Sequence, residues 1–456
     1  MKVNPYIFRE YDIRGVVADD FSPEFAHSLG QGFGTFVKRG GGQEISLSGD
    51  IRLTTPMLKE NFKSGVLETG VDVIDIGILP TPVNYYSMFK LSVAGAAQIT
   101  GSHNPPEMNG FKLSFQKGAV YGEMIQQIRK LMEDDDFETG EGTEVAYNLL
   151  PEYLSMVLGK INFDRPMKIA MDCGNAAACL AAPKIFRELG ADLTEIFCDV
   201  DGTFPNHHPD PTVPENLTEL IKTVQDDNFD CGIAYDGDAD RVGVIDENGQ
   251  VIWADMLMAL ILPEIVEPGD EVLFDVKCSQ ALEEEIVRLG GKPVIWKTGH
   301  SLIKQKMKEL GCRFGGEMSG HLFFADDYFG YDDAIYVSAR IVQMLSRQNK
   351  TLSELVANLP QYVSTPEMRL DCPDDEAKFK LAEAAVEYFS ANFNCLDVDG
   401  VRIRFDDGWG LVRASNTQPV IVVRFEAKTQ ERMEEIKGTV LSKLQELGEF
   451  TMPEDD

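Results

Sequence analysis

Short apolar runs alternate with helical stretches three times over along most of this chain, and that alternation restricts the fold more tightly than any other property of the sequence. Within residues 1–150 the runs fall at 44–48, 71–76 and 94–99, with helical patterns over 22–39 and 55–69. Residues 151–252 repeat the scheme at 168–171, 193–197 and 231–235, and residues 253–366 repeat it at 272–276, 293–296 and 312–314. Such alternation predicts parallel strands joined by crossover helices. Residues 367–456 differ. After two prolines, Pro366 and Pro373, and an acidic stretch come a helix at 377–392, strands at 400–405, 410–414 and 420–427, and a closing helix at 430–447. The expected fold is therefore three related α/β domains with mixed, mostly parallel sheets, plus a smaller α+β C-terminal domain, arranged around a central cleft.

In each of the three units the most informative loop follows the third run, where ligands of parallel sheets usually bind. The first is Thr100-Gly101-Ser102-His103-Asn104-Pro105-Pro106. Gly101 and the prolines force an abrupt loop that presents the Ser102 hydroxyl, with His103 beside it and Lys112 farther on. A hydroxyl near cations can accept a phosphoryl group and give it up again; an ordinary surface turn is the competing reading.

The second loop, Asp236-Gly237-Asp238-Ala239-Asp240-Arg241, places three carboxylates at alternate positions, a pattern that suits a hard cation. An EF-hand would need Gly where Arg241 stands, and the flanks 231–235 and 242–245 read as strands instead of helices. Three carboxylates, together with nearly two charges from a phosphoserine at Ser102, exceed what one divalent ion offsets. Arg241, Lys112, Arg14 and Arg52 are the candidate additional cations.

The third loop, Gly315-Gly316-Glu317-Met318-Ser319-Gly320-His321, offers a carboxylate and a hydroxyl two residues apart, able to bind neighbouring sugar hydroxyls, although a polar Gly-rich turn reads similarly. A fourth, Arg413-Ala414-Ser415-Asn416-Thr417-Gln418-Pro419, joins a guanidinium to short polar side chains and can cradle an anion. It lacks the Gly-Lys pair of a P-loop, so nucleotide hydrolysis is not expected. Gly30, Gly32 and Gly34 resemble a dinucleotide fingerprint but lie inside a helical pattern, and His207-His208 reads as structural.

These four motifs, in this order over the whole chain, resemble the α-D-phosphohexomutase family, most of all its bacterial phosphomannomutase/phosphoglucomutase branch. The resemblance implies three related α/β domains and a different fourth. It implies a phosphoserine at Ser102 and one Mg²⁺ held by Asp236, Asp238, Asp240 and the phosphorylated Ser102. Arg14 and Lys112 match the cations near the transferred group, Arg241 would orient the metal loop or the phosphate, and His321 or Lys112 would be the general acid/base. Tyr11, Gly299, His300, Glu317 and Ser319 would contact substrate, while Arg413, Ser415, Asn416 and Thr417 would bind the phosphate that is not transferred. The implied reaction interconverts hexose 1-phosphate and hexose 6-phosphate, of mannose or glucose, through a hexose 1,6-bisphosphate that also serves as activator. Alternatives are a phosphoglucosamine mutase, whose loop typically has Gln in place of Met318, a non-catalytic phosphosugar-binding protein, and a metal-dependent phosphatase.

The formal net charge of −33 excludes nucleic acid and anionic membrane as partners, so phosphosugar binding must rest on a local cluster of cations. The eight cysteines are scattered without a Cys-x-x-Cys pair and read as reduced core residues. No apolar signal core or membrane-length run occurs, and a cytoplasmic protein with a small-molecule phosphosugar substrate is expected, a monomer or else an oligomer.

Overall fold

Ser22 caps the helix Pro23–Arg39 by accepting from Phe25 N (3.2 Å), with proline in the first turn where no partner for an N–H is needed. This helix packs so closely on the helix Thr55–Glu68 that a Cβ on Gly30 would come within 2.0 Å of Phe62 O, and one on Gly65 within 2.0 Å of His27 O. The Gly-rich stretch is thus a close helix contact and not a nucleotide fingerprint. Beneath it, Phe33, Phe62 and Phe111 belong to a fully buried aromatic core.

The computed structural model describes residues 3–415 and 419–452. Two compact units divide the chain: Met1–Leu257 with Ser319–Leu355, and Met258–Met318 with Val356–Asp456.

The first unit holds two mixed sheets. Strands β1 (Ile13–Val16), β2 (Glu44–Gly49), β3 (Asp72–Ile78), β4 (Gly95–Ile99), β5 (Met108–Phe115), β6 (Gly118–Ala119) and β7 (Glu144–Ala146) run in the order β1-β5-β4-β2-β3-β7, with β6 on β5. Strands β2, β3, β4 and β7 are parallel, whereas β5 is antiparallel to both β1 and β4. The second sheet comprises β8 (Lys168–Asp172), β9 (Asp192–Ile196), β10 (Cys231–Tyr235), β11 (Val242–Ile245) and β12 (Val251–Ile252) in the order β12-β11-β10-β8-β9. Again the strand after the candidate loop, β11, turns back antiparallel.

In the second unit β13 (Glu271–Asp275) lies between parallel β14 (Lys292–Trp296) and β15 (Phe314–Gly316). Gly315 and Gly316 are strand residues, not loop residues as the sequence suggested; glycine there leaves room for Met307 Sδ and Leu273 O, each 2.9 Å or less from where a Cβ on Gly315 would sit. The C-terminal portion is an antiparallel sheet of β17 (Val363–Ser364), β18 (Met368–Asp371), β19 (Asn394–Leu396), β20 (Val401–Phe405), β21 (Gly408–Ala414) and β22 (Val420–Ala427). The helices Asp375–Asn392 and Gln430–Leu447 bury Leu381, Phe389, Ile436 and Leu444 against it. The expected class, α/β portions followed by an α+β portion, is what forms. All eight cysteines are free; five are buried as expected, whereas Cys179, Cys198 and Cys395 are only partly buried, Cys395 against the C-terminal core. Among the described residues no helix is long and apolar enough to cross a membrane.

Candidate active site

The Ser102 loop connects β4 to β5, and its shape is set from behind by Arg52. This guanidinium, 1% exposed, donates to the carbonyls of Ser102 (2.7 Å), Asn104 (2.6 Å), Pro105 (2.6 Å) and Met108 (3.0 Å). Its Nε binds Asp50 (3.1 Å), whose carboxylate also receives Thr100 Oγ1 and Gly101 N. Arg52 is therefore a loop brace, not one of the cations free to neutralise a substrate. So anchored, Ser102 takes a φ of +50°, a conformation that L-residues seldom adopt outside functional turns. Its Oγ lies 3.2 Å from Asp236 Oδ2 and 3.2 Å from His103 Nδ1.

The metal-loop candidate comes from the end of β10. Asp236 Oδ1 accepts from the backbone N–H groups of Asp240 (3.0 Å) and Arg241 (3.1 Å), so one oxygen folds the loop while the other faces Ser102. The two loops interlock: a Cβ on Gly237 would sit 2.1 Å from Ser102 O. Asp236, Asp238 and Asp240 are fully buried, with one oxygen from each close enough to share a cation. Asp238 Oδ1 and Asp240 Oδ1 accept no hydrogen bond, which fits an oxygen-preferring divalent ion. Burial, and then the neighbouring Asp240 and Asp238, push the Asp236 carboxyl well above its ordinary range. Burial would do the same to Asp238, but the Lys112 ammonium and the Thr81 hydroxyl hold it well below.

Lys112 reaches this cluster from the middle of β5, binding Asp238 Oδ2 (2.6 Å) and Asp240. Despite burial, those two carboxylates raise its pKa far above that of a free lysine. Arg14, from β1, pairs with Asp12 (2.6 Å) and also feels the charges of Asp238 and Asp240. Burial first, then the charges of Arg241, Arg14 and Lys112, holds the His103 imidazole well below its ordinary pKa.

His321, just before β16 (Leu322–Phe324), accepts from Arg241 Nε through Nε2 (3.0 Å) and faces Asp332 through Nδ1 (3.1 Å). Asp332 lies eleven residues on, in an acidic, aromatic stretch that the sequence analysis did not single out. As Asp332 orients the imidazole, Asp332→Asn is expected to reduce kcat by about tenfold to a hundredfold with little change in KM; steady-state kinetics would show it.

Tyr11 is half-buried just before β1, and Ser319 is half-buried at the start of the first unit's second segment. In the second unit, Gly299 has a φ of +136° and donates its N–H to Glu317 (2.5 Å) at the head of the helix His300–Leu310; His300 and Glu317 are buried. Arg413, on β21, pairs with Asp399 (3.0 Å), which also accepts from Thr298 N (3.1 Å). Ser415 is buried and donates its N–H to Val420 O (3.0 Å). Asn416 and Thr417 lie outside the described residues. The sequence reading missed Lys277, a buried lysine 3.3 Å from Glu367 and 3.9 Å from Asp275. Its position just past β13 was the available signal. His207 binds Asp172 (3.1 Å) and the His208 carbonyl, with no part in the two groups of potential metal ligands found among the described residues, Asp236, Asp238 and Asp240 or Asp240, His321 and Asp332.

Four models of the phosphoglucomutase/phosphomannomutase family match in succession: alpha/beta/alpha domain I over residues 5–139, domain II over 151–249, domain III over 253–363 and the C-terminal domain over 367–443. The chain is 43% identical over 443 residues to a phosphomannomutase/phosphoglucomutase of Pseudomonas aeruginosa, covering 96% of this chain and 95% of that protein. It is 40% identical over 438 residues to a phosphoglucomutase of Neisseria meningitidis, at 95% coverage of each. A crystal structure of a phosphoglucomutase/phosphomannomutase family protein from Burkholderia thailandensis superposes with a TM-score of 0.93 at 38% identity, covering 99% of this chain and 100% of that one.

Proposed function

This chain belongs to the phosphoglucomutase/phosphomannomutase family, and from that premise we propose that it carries the phosphoryl group on Ser102 while interconverting hexose 1-phosphate and hexose 6-phosphate. It is a hexose-phosphate mutase, an enzyme of the isomerase class. The carrying observation is the Ser102 hydroxyl set 3.2 Å from Asp236, on the loop whose Asp238 and Asp240 bind Lys112. Charge supports the reading. Arg14, Lys112 and Arg241 offset part of the charge of Asp12, Asp236, Asp238 and Asp240, and a divalent ion would offset the roughly two negative charges that a phosphoserine adds.

Asp236, Asp238, Asp240 and the phosphorylated Ser102 would hold one Mg²⁺, which when bound supplies Lewis-acid polarisation of phosphoryl oxygens. In the first transfer the bond between phosphorus and Ser102 Oγ breaks as a bond forms from the free sugar hydroxyl to phosphorus, giving a hexose 1,6-bisphosphate. Ser102 Oγ takes a proton from the Lys112 ammonium as its bond to phosphorus breaks, and the proton of the sugar hydroxyl passes to the Lys112 amine so formed or to His321. After the intermediate turns over, its other phosphoryl group returns to Ser102 and the isomeric monophosphate remains. Arg14 and Arg241 stabilise charge on the transferred group. By resemblance, Tyr11, Gly299, His300, Glu317 and Ser319 contact the sugar, and Arg413, Ser415, Asn416 and Thr417 hold the resident phosphate. Lys277 joins this second set as a buried cation beside Glu367.

Met318 supports mannose and glucose over glucosamine as substrates. With Mg²⁺ and a trace of the matching bisphosphate, α-D-mannose 1-phosphate and α-D-glucose 1-phosphate are both expected to be converted to their 6-phosphates. Turnover of α-D-glucosamine 1-phosphate alone would replace this reading with the phosphoglucosamine one; inorganic phosphate as the main product would make the enzyme a phosphatase.

A further inference from the structure

Three thiols meet beside the metal loop, in a part of the first unit that the transfer reaction does not use. Cys173 follows β8 and Cys198 follows β9, and these parallel strands end in register at Asp172 and Ile196. Cys173 N donates to Ile196 O (3.2 Å), Cys198 Sγ to Ile196 O (3.3 Å) and Cys179 Sγ to Phe197 O (3.7 Å). All three cysteines thus gather around two consecutive carbonyls, Ile196 O and Phe197 O, and burial first, then the neighbouring Cys179 and Cys198, raises the Cys173 thiol well above its ordinary pKa. The surrounding backbone is bent, with positive φ at Gly174, Asn175 and Phe197.

The cluster touches the site directly. Ala177, in the turn Ala177–Leu180 that carries Cys179, donates its N–H to Gly237 O (3.2 Å). Asn175 N, two residues beyond Cys173, binds Phe197 O (2.7 Å). A change in how the thiols are joined would therefore shift the support of the loop that carries Asp236 and Asp238.

We propose that Cys173 forms a reversible disulfide with Cys179 or Cys198 on exposure to a hydroperoxide, and that this bond lowers activity by displacing the brace on the metal loop. The half-buried sulfur of Cys179 or Cys198 meets the oxidant first, because Cys173 is fully buried and burial pushes its thiol well up. That thiol loses its proton and its sulfur attacks the peroxide oxygen; the O–O bond breaks, leaving a sulfenic acid and an alcohol, or water from hydrogen peroxide. The Cys173 sulfur then attacks the sulfenyl sulfur, the S–O bond breaks and water leaves. Two thiols are oxidised by two electrons and the peroxide is reduced by two. A disulfide is neutral and suits this buried place, whereas a soft-metal site would gather thiolates there. The thiols are also absent from the ligand groups that could share a cation among the described residues.

The activity arm of this proposal rests on the mutase reading, so the test has a readout independent of turnover. The reduced full-length enzyme is treated with hydrogen peroxide and digested with trypsin without reductant. Cys173 and Cys179 share the peptide 169–184, and Cys198 lies in 188–222. The expected products are the first peptide less two hydrogens, or the two peptides joined. Activity should fall by about tenfold or more and return with dithiothreitol, as displacement of a loop near the chemistry predicts. Cys173→Ser, and separately the double variant Cys179→Ser/Cys198→Ser, should lose this sensitivity. No bond to Cys173 at excess peroxide would overturn the proposal, and so would a bond that leaves activity unchanged. Lack of turnover before oxidation would sink the mutase reading instead, with the peptide map still deciding whether the disulfide forms.

Discussion

Ser102→Ala is expected to lower mutase turnover by about 10⁴-fold or more while leaving the fold intact, because the hydroxyl is the proposed covalent carrier and its loss cannot be shared out among neighbours. The loop does not need the side chain. Ser102 N is held by Thr100 Oγ1 (2.8 Å) and Ser102 O by Arg52 (2.7 Å), so alanine keeps the backbone path and loses only the contacts of Oγ to Asp236 and His103. Circular dichroism and thermal melting should match those of the parent. Incubation with glucose 1,6-bisphosphate should add a phosphoryl mass to the parent protein and none to the variant. Retained turnover in Ser102→Ala would remove the phosphoserine mechanism.

The second large effect is on stability. Lys112 compensates Asp238 and Asp240, both fully buried, and Lys112→Met would leave those carboxylates without their nearest cation. Breaking a buried ion pair by removing one partner costs about 3–5 kcal/mol, because the charge left behind cannot reach water. Here three acids share the deficit, and they respond by taking up protons or by binding a metal. Lys112→Met should therefore melt well below the parent in EDTA and recover much of the difference in millimolar Mg²⁺, while the parent changes little between the two. The pH dependence has a definite sign. In the parent the folded-state pKa of Asp238 is depressed, so its stabilising share is present above the ordinary carboxylate pKa and is lost as pH falls through the folded value. Without Lys112 that depression goes, and acidification in EDTA should stabilise the variant relative to the parent. Equal melting of the variant with and without Mg²⁺ would show that the three aspartates do not bind the ion.

Much of this site is legible in the sequence, and the parts that are not share a physical cause. Runs such as 231–235 and 420–427 are apolar throughout because both faces of the strand are covered, and their ends matched β10 and β22. β5 was missed because Asn109, Lys112 and Ser114 interrupt its apolar residues; those polar groups are buried against partners from distant segments, such as Thr55 for Asn109 and Asp238 for Lys112. Arg52 was taken for a substrate cation because a lone arginine in a loop gives no hint that four carbonyls will close around it. Asp332 was invisible for a similar reason, since its meaning lies in His321. Ser102 and the three aspartates were readable because each lies in a compact motif whose chemistry is local.

The fit of Gly237 against the Ser102 carbonyl also bears on how such a chain can change over generations. Two loops 134 residues apart in sequence share one small volume, so neither can drift in backbone shape without the other following. A recombinant gene that joined the front portion of one relative to the second portion of another would test that fit at a single point. Crossovers between codons 102 and 237 should thus yield fewer working offspring than crossovers elsewhere in the first unit, even between parents of similar sequence.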